Sequence, residues 1–245
     1  MPNPPAFEAR LAHARPLSPT VRELSFERLD GAPLTFEAGQ WVTLVLPLPE
    51  GEVRRAYSIA SSPSGTPRFD LAVTQVEAGS ASTYLHRLEP GATLTAIGPQ
   101  GFFTRPVDGA LPCPALFVGT GTGVAPLLSM LRAALNRGST TPLCLLFGVR
   151  SRQEILYREE LEVLAKTHSH LQVDVTLSRP EAEWPARRGY VQLHVRELYE
   201  SLAAKSQGAP HAYVCGLERM VGAVREVLRK QMGLPRQLVH SERYD

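Results

Sequence analysis

The run RRAYSIASSP (54–63) sets two arginines, a tyrosine and several hydroxyls at what reads as a strand end and the turn after it. Arg55, Tyr57 and Ser58 put a guanidinium, a flat ring and a hydroxyl on one edge, which is more chemistry than a turn requires. A surface arginine pair is the plainer explanation. A second stretch, FVGTGTGVAPLLSML (117–131), reads as strand, glycine-rich turn and helix. Gly119, Gly121 and Gly123 let the backbone turn sharply and approach a ligand closely. Thr122 lies among them, and the amides opening the helix favour a diphosphate. The run departs from G-x-G-x-x-G, with Pro126 where the third glycine would stand. The next strand ends FGVRS, without an acid for a ribose 2′-hydroxyl. A dinucleotide turn other than the standard NAD fingerprint is expected.

Three further stretches carry polar chemistry. LSRPEAEWPARRGYVQ (177–192) follows a third apolar strand and offers Ser178, Arg179, Arg187 and Arg188. Arginine's planar fork suits a phosphate, and parallel sheets bind ligands at the carboxyl ends of their strands. A solvated basic loop is the alternative. GSASTYL (79–85) places Gly79, Ser82 and Thr83 at the start of a short helix, where capping or a second diphosphate would use the same groups. YVCGLERM (213–220) puts Cys215 at another strand end, in the core or at a cleft.

The elements that must position these residues fall into two patterns. Up to about residue 108, apolar residues recur with period two between Gly, Pro and Asp, as in QWVTLVLP and RFDLAVTQV, which predicts a small antiparallel barrel. GSASTYLHRL (79–88) is the exception, a short helix. From 109 to 245, apolar strands alternate with helical segments, and a last strand is expected in RQLVHSERY. That alternation predicts a parallel sheet with helices on both faces. A ligand is expected at the cleft between the two domains.

Composition narrows the function. Of 245 residues 43% are hydrophobic and 20% charged, and the net charge of +2 is too small to imply nucleic acid. No segment reads as a secretory signal or a membrane span. Three dispersed cysteines suit a reducing cytoplasm and are too few for an iron–sulfur cluster. The pair in HSH (168–170) reads as a solvated turn rather than a metal site.

Six motifs, in order over nearly the whole chain, resemble the ferredoxin–NADP reductase family: RAYS (55–58), GSAST (79–83), GPQGFF (98–103), GTGTGVAP (119–126), CGLERM (215–220) and HSERYD (240–245). The resemblance implies a barrel that holds FAD and an α/β domain that holds NADPH. It implies that Arg55 neutralises the flavin diphosphate, Tyr57 stacks on the ring system and Ser58 hydrogen-bonds near the hydride-accepting atom. Ala72 and Val73 join the expected cofactor contacts, with Gly79, Ser82, Thr83, Gly121, Thr122, Gly123, Ser178, Arg179, Arg187, Arg188 and Tyr244. Ser58, Cys215, Glu242 and Tyr244 are the expected catalytic set. Hydride is expected to pass between NADPH and FAD, and single electrons between FAD and a separate ferredoxin or flavodoxin, with the protein a monomer. An NAD(P)H:flavin reductase, or a flavin-binding module without turnover, are the alternatives. Asp245 follows Tyr244, whereas plant-type members end at the tyrosine.

Overall fold

A computed structural model describes residues 4–105, 113–206 and 208–244. The first sheet contains β1 (Ala6–Ser18), β2 (Val21–Arg28), β3 (Trp41–Leu48), β4 (Gly51–Ser58), β5 (Arg68–Thr74) and β6 (Thr93–Gln100). Its order is β4-β3-β6-β1-β2-β5, and its ladders are antiparallel. The period-two pattern does what it should: Val42, Leu44, Leu46 and Leu48 of β3 point into one core, while the residues between them face outward. The end strands meet through an Ile59–Leu71 bridge, so the barrel closes one residue beyond Ser58. Between β5 and β6 lies α1 (Ser80–Arg87), whose C-terminal end is held by Arg22 Nη1 donating to the Leu88 carbonyl at 3.0 Å.

The second sheet contains β7 (Ala115–Thr120), β8 (Leu143–Val149), β9 (Leu171–Leu177), β10 (Arg187–Arg188), β11 (His211–Leu217) and β12 (Val239–Tyr244). It is parallel, with order β10-β9-β8-β7-β11-β12. Alternate residues of one apolar run serve opposite cores. Phe117 packs with α2 (Val124–Asn136) and α3 (Arg158–Thr167), whereas Leu116 and Val118 pack with α4 (Val195–Ala204) and α5 (Glu218–Arg225). Strand order reverses at β7, with β8 and β9 on one side and β11 and β12 on the other. A crevice therefore opens at the carboxyl ends of β7 and β11.

The expected boundary between residues 108 and 109 lies outside the described residues, as does Asp245. Helix α5 is α-helical only to Arg225 and continues as a π-helical segment, Glu226–Gln231. The last strand begins at Val239, after a 3₁₀ turn at Arg236–Leu238. Arg187 and Arg188 form a sixth strand rather than an open loop. No described helix is long and apolar enough to cross a membrane.

Two glycines set the turn after β7. Gly121 has φ +53°, a left-handed conformation that a side chain rarely adopts. Gly123 lies against the Cys215 carbonyl and 2.8 Å, by its would-be Cβ, from the Gly216 Cα. An alanine there would push α2 off β11. Gly123→Ala is expected to lower stability by about 1–3 kcal/mol, measured by denaturant unfolding, while Gly222→Ala at an exposed position of α5, where a Cβ meets nothing, has no such cost.

Candidate active site

A cleft of about 1430 Å³ runs between the barrel and the carboxyl edge of the parallel sheet. Small-ligand pockets usually hold about 300–1,000 Å³, so this one has room for two nucleotides end to end. Its barrel wall includes Arg55, Tyr57, Ser58, Ala72, Gly79 and Ser82, and its sheet wall Gly121, Thr122, Ser178, Arg179, Glu242 and Tyr244. Thr74 Oγ1 donates to Thr122 Oγ1 at 3.3 Å, so the walls touch there. Among the described residues, Arg55, Arg150, Arg179, Arg219 and Arg243 line the cleft against two carboxylates, Glu154 and Glu242. A chain of net charge +2 thus gathers its cations where an anionic ligand would lie.

The two walls meet at Ser58. Tyr244 Oη donates to Ser58 Oγ at 2.6 Å, and Ser58 Oγ donates to Glu242 Oε1 at 3.4 Å. The register of β12 on β11 sets this contact, pairing Glu242 with Cys215 and Tyr244 with Leu217. Burial pushes the Glu242 carboxyl up to about 7, opposed by the Ser58 hydroxyl. Burial, and next the neighbouring Cys215, push the Tyr244 hydroxyl well above its ordinary range. The Tyr57 hydroxyl is pushed up to about 12 by burial, despite Arg55 beside it.

Several expected residues stand elsewhere. Cys215 is fully buried behind Glu242 and Tyr244 rather than on the cleft wall, and burial raises its thiol strongly. Val73 is fully buried in the barrel core. Gly123 lies under the turn against Cys215, and neither it nor Thr83 lines the cleft. Ser82 lines the cleft but spends its hydroxyl on the turn before α1, accepting from the Val76 amide at 3.0 Å and donating to the Gly79 carbonyl at 3.1 Å.

Arg187 and Arg188 also leave the expected phosphate cluster. Arg187 is held by Asp174 at 2.8 Å and by both Glu197 oxygens at 2.8 and 3.0 Å. These partners raise its pKa, Glu197 first. Arg188 donates to the carbonyls of Ala182 and Trp184 and so pins its own loop. Arg150, not expected from the sequence, lines the cleft with Arg179. The Arg179 amide donates to the Arg150 carbonyl at 2.9 Å, which sets the two arginines side by side beyond β8 and β9. FGVRS carried the signal, an arginine at the carboxyl end of a parallel strand. Tyr190, 65% exposed on the cleft wall, was also missed, because an aromatic in a loop has no periodicity to mark it.

These residues fit a flavin dinucleotide beside a second nucleotide. The amides opening α1 carry no side-chain cap and face the cleft at Gly79–Ser82. Thr120 Oγ1, on the sheet wall, is buried without a hydrogen-bond partner among the described residues, as expected of a group awaiting a ligand. Arg55 donates to the Arg54 carbonyl at 2.9 Å and keeps further N–H groups for an anion.

The fold and cleft define a two-domain flavoprotein oxidoreductase. Family models agree: residues 8–104 match the oxidoreductase FAD-binding domain and residues 117–226 the oxidoreductase NAD-binding domain. The chain is 62% identical over 240 residues to "Ferredoxin--NADP reductase B" of Sorangium cellulosum, covering 98% of each. It is 32% identical to "Phenol hydroxylase P5 protein" of Acinetobacter pittii, over 97% of this chain and 65% of that one. Among solved structures it resembles the Amycolatopsis cytochrome P450 reductase GcoB, with TM-score 0.83 and 26% identity over 98% of this chain and 70% of that one. The chain belongs to the ferredoxin–NADP reductase family.

Glu242 gives this site a pH signature. Its carboxyl titrates near 7 when folded and at 4.5 ordinarily. Its contribution to stability is therefore fully present below about pH 4.5 and is lost as pH rises through about 7. Glu242→Gln is expected to remove that decline and to gain on the order of 2 kcal/mol at pH 8, read by denaturant unfolding from pH 4 to 8.

Proposed function

We propose that this protein passes hydride between NADPH and bound FAD, and single electrons between that flavin and a small separate carrier, ferredoxin or flavodoxin. The observation that carries the reading is the meeting of the barrel and the parallel sheet at Ser58, Glu242 and Tyr244, inside one cleft lined by five arginines. The flavin, when bound, supplies the exchange between two-electron and one-electron chemistry. The chain's part is to bind, orient and exclude water.

Arg55 and the α1 amides hold the flavin diphosphate, and Tyr57, half-buried on β4, offers its ring to the flavin. Gly121 and Thr122 open the backbone to the nicotinamide nucleotide. Ser178, Arg179 and Arg150 receive the 2′-phosphate that distinguishes NADPH from NADH. Tyr244 covers the reactive end of the cleft and leaves when the nicotinamide enters. Ser58 Oγ and the Glu242 carboxyl, which changes protonation near neutrality, carry a proton at that end. Cys215 backs Tyr244 from within the sheet. Its name as a ferredoxin–NADP reductase makes the Sorangium relative's partner the model for this chain's carrier. The three unpaired cysteines suit the cytoplasm, where the protein works as a monomer.

Anaerobic titration with NADPH tests the reading directly: the purified yellow protein bleaches, and reoxidises on adding oxidised ferredoxin or flavodoxin. Yellow protein that neither NADPH nor NADH bleaches would overturn it. Two substitutions test the assignments. Arg55→Ala, which leaves a diphosphate charge unpaired, is expected to cost about 2–5 kcal/mol of FAD binding and to purify largely colourless; full colour contradicts the role. Arg179→Ala is expected to raise the KM for NADPH by about 10–100-fold, the loss of one or two charge-assisted hydrogen bonds. The KM for NADH stays nearly unchanged, as steady-state kinetics with both nucleotides will show.

A further inference from the structure

Helix α2 carries Ser129, Arg132 and Asn136, spaced three and seven residues along one face. All three donate into one short run on the barrel side. Ser129 Oγ reaches the Ser61 carbonyl at 2.7 Å, Arg132 Nη1 the Ala60 carbonyl at 2.8 Å, and Asn136 Nδ2 the Ser62 hydroxyl at 2.9 Å. That run starts two residues after Ser58, and α2 starts one residue after Gly123. The ladder therefore ties the nucleotide turn to the flavin strand over a very short path of chain.

Arg132 is its centre. Its Nε and Nη2 pair with both oxygens of Glu160 on α3, at 2.7 and 2.5 Å, and its guanidinium lies 5.2 Å from the centre of the Tyr157 ring. Tyr157 is buried with φ +54°, a left-handed conformation unusual for a bulky side chain. Burial, and next the Glu23 carboxylate of β2, push its hydroxyl well above the ordinary range. Glu23 is buried and paired with Arg15 of β1. A chain of charged and aromatic groups thus crosses from barrel to sheet through Tyr157 and ends on the Ala60 carbonyl. Strain and buried charge held at one junction, away from the cleft wall, indicate a contact kept for its geometry.

We infer that Arg132 is a positioning residue for hydride transfer: it fixes the distance between the two walls that carry flavin and nicotinamide, without touching either. This rests on the reading of the cleft as their meeting place. Each nucleotide is held by its own domain, so loosening the junction spares binding and degrades approach, to which transfer rates are steeply sensitive.

The test uses FAD-loaded wild type, Arg132→Ala, Arg132→Lys and Ser129→Ala. In Arg132→Ala the limiting rate of flavin bleaching at saturating NADPH falls about 10–100-fold, while FAD content and the Kd for NADPH stay within about twofold. Arg132→Lys, which keeps a donor for Ala60, recovers part of the rate, and Ser129→Ala loses a few-fold. Hydrogen exchange in the peptide spanning 59–64 speeds up in the same order, a readout independent of turnover. A limiting rate within about twofold of wild type in Arg132→Ala, or FAD and NADPH affinity lost in step with rate, overturns the inference. If Arg132→Ala does not fold, unchanged exchange and rate in both Arg132→Lys and Ser129→Ala overturn it. Wild type that NADPH fails to bleach overturns the functional reading itself, and the inference with it.

Discussion

Ser58 ends a barrel strand, and Glu242 and Tyr244 end the edge strand of the other sheet, yet the three share one hydrogen-bonded chain. The rest of the molecule is arranged so that those two strand ends coincide. The barrel closes at Ile59–Leu71, immediately past Ser58, which fixes where β4 stops. The parallel sheet reverses its order at β7, which opens the carboxyl edge toward that stop. β12 then runs beside β11 in a register that puts Glu242 and Tyr244 over it. Displacing any of these would leave a hydroxyl or a carboxyl facing the wrong wall.

Electrostatics explains why such a site is stable enough to exist. Five arginines around a cleft repel one another, and few of them are neutralised by neighbours: Arg243 meets Glu218, while Arg55 reaches only a backbone carbonyl among its described partners. The repulsion is tolerable because the cleft is open to water, where screening is strong. On the function proposed above, it turns into binding energy when phosphates arrive. Away from the cleft, Arg132 is committed to Glu160 and Arg187 to Asp174 and Glu197. Arginine therefore stands in two settings here, on an open cleft where most have no acidic partner among the described residues, and locked onto carboxylates elsewhere.

That distinction also marks what was legible in the sequence. Period-two alternation in QWVTLVLP and the apolar runs around Phe117 and Leu145 declared barrel and parallel sheet, because burial on one or both faces writes itself into local spacing. The place of Arg55, Tyr57 and Ser58 on the cleft wall was legible because three unusual groups share one edge. Arg187 misled, since its partners Asp174 and Glu197 come from neighbouring elements and no local pattern announces them. Arg150 and Tyr190 went unmarked for the same reason: a cleft gathers residues by topology rather than by spacing. Cys215 and Val73 sit next to true cleft residues on their strands but face inward, the half-turn ambiguity that alternation imposes.

On the function proposed above, Tyr244 covers the place the nicotinamide must take. The most direct test is the long-wavelength charge-transfer absorbance formed between oxidised flavin and NADP⁺, compared in the intact chain and in a chain ending at Arg243. Removal of a covering ring should strengthen that band and tighten NADP⁺ binding, because the nicotinamide no longer displaces anything to stack. Identical bands and identical NADP⁺ affinity in the two proteins would contradict the account.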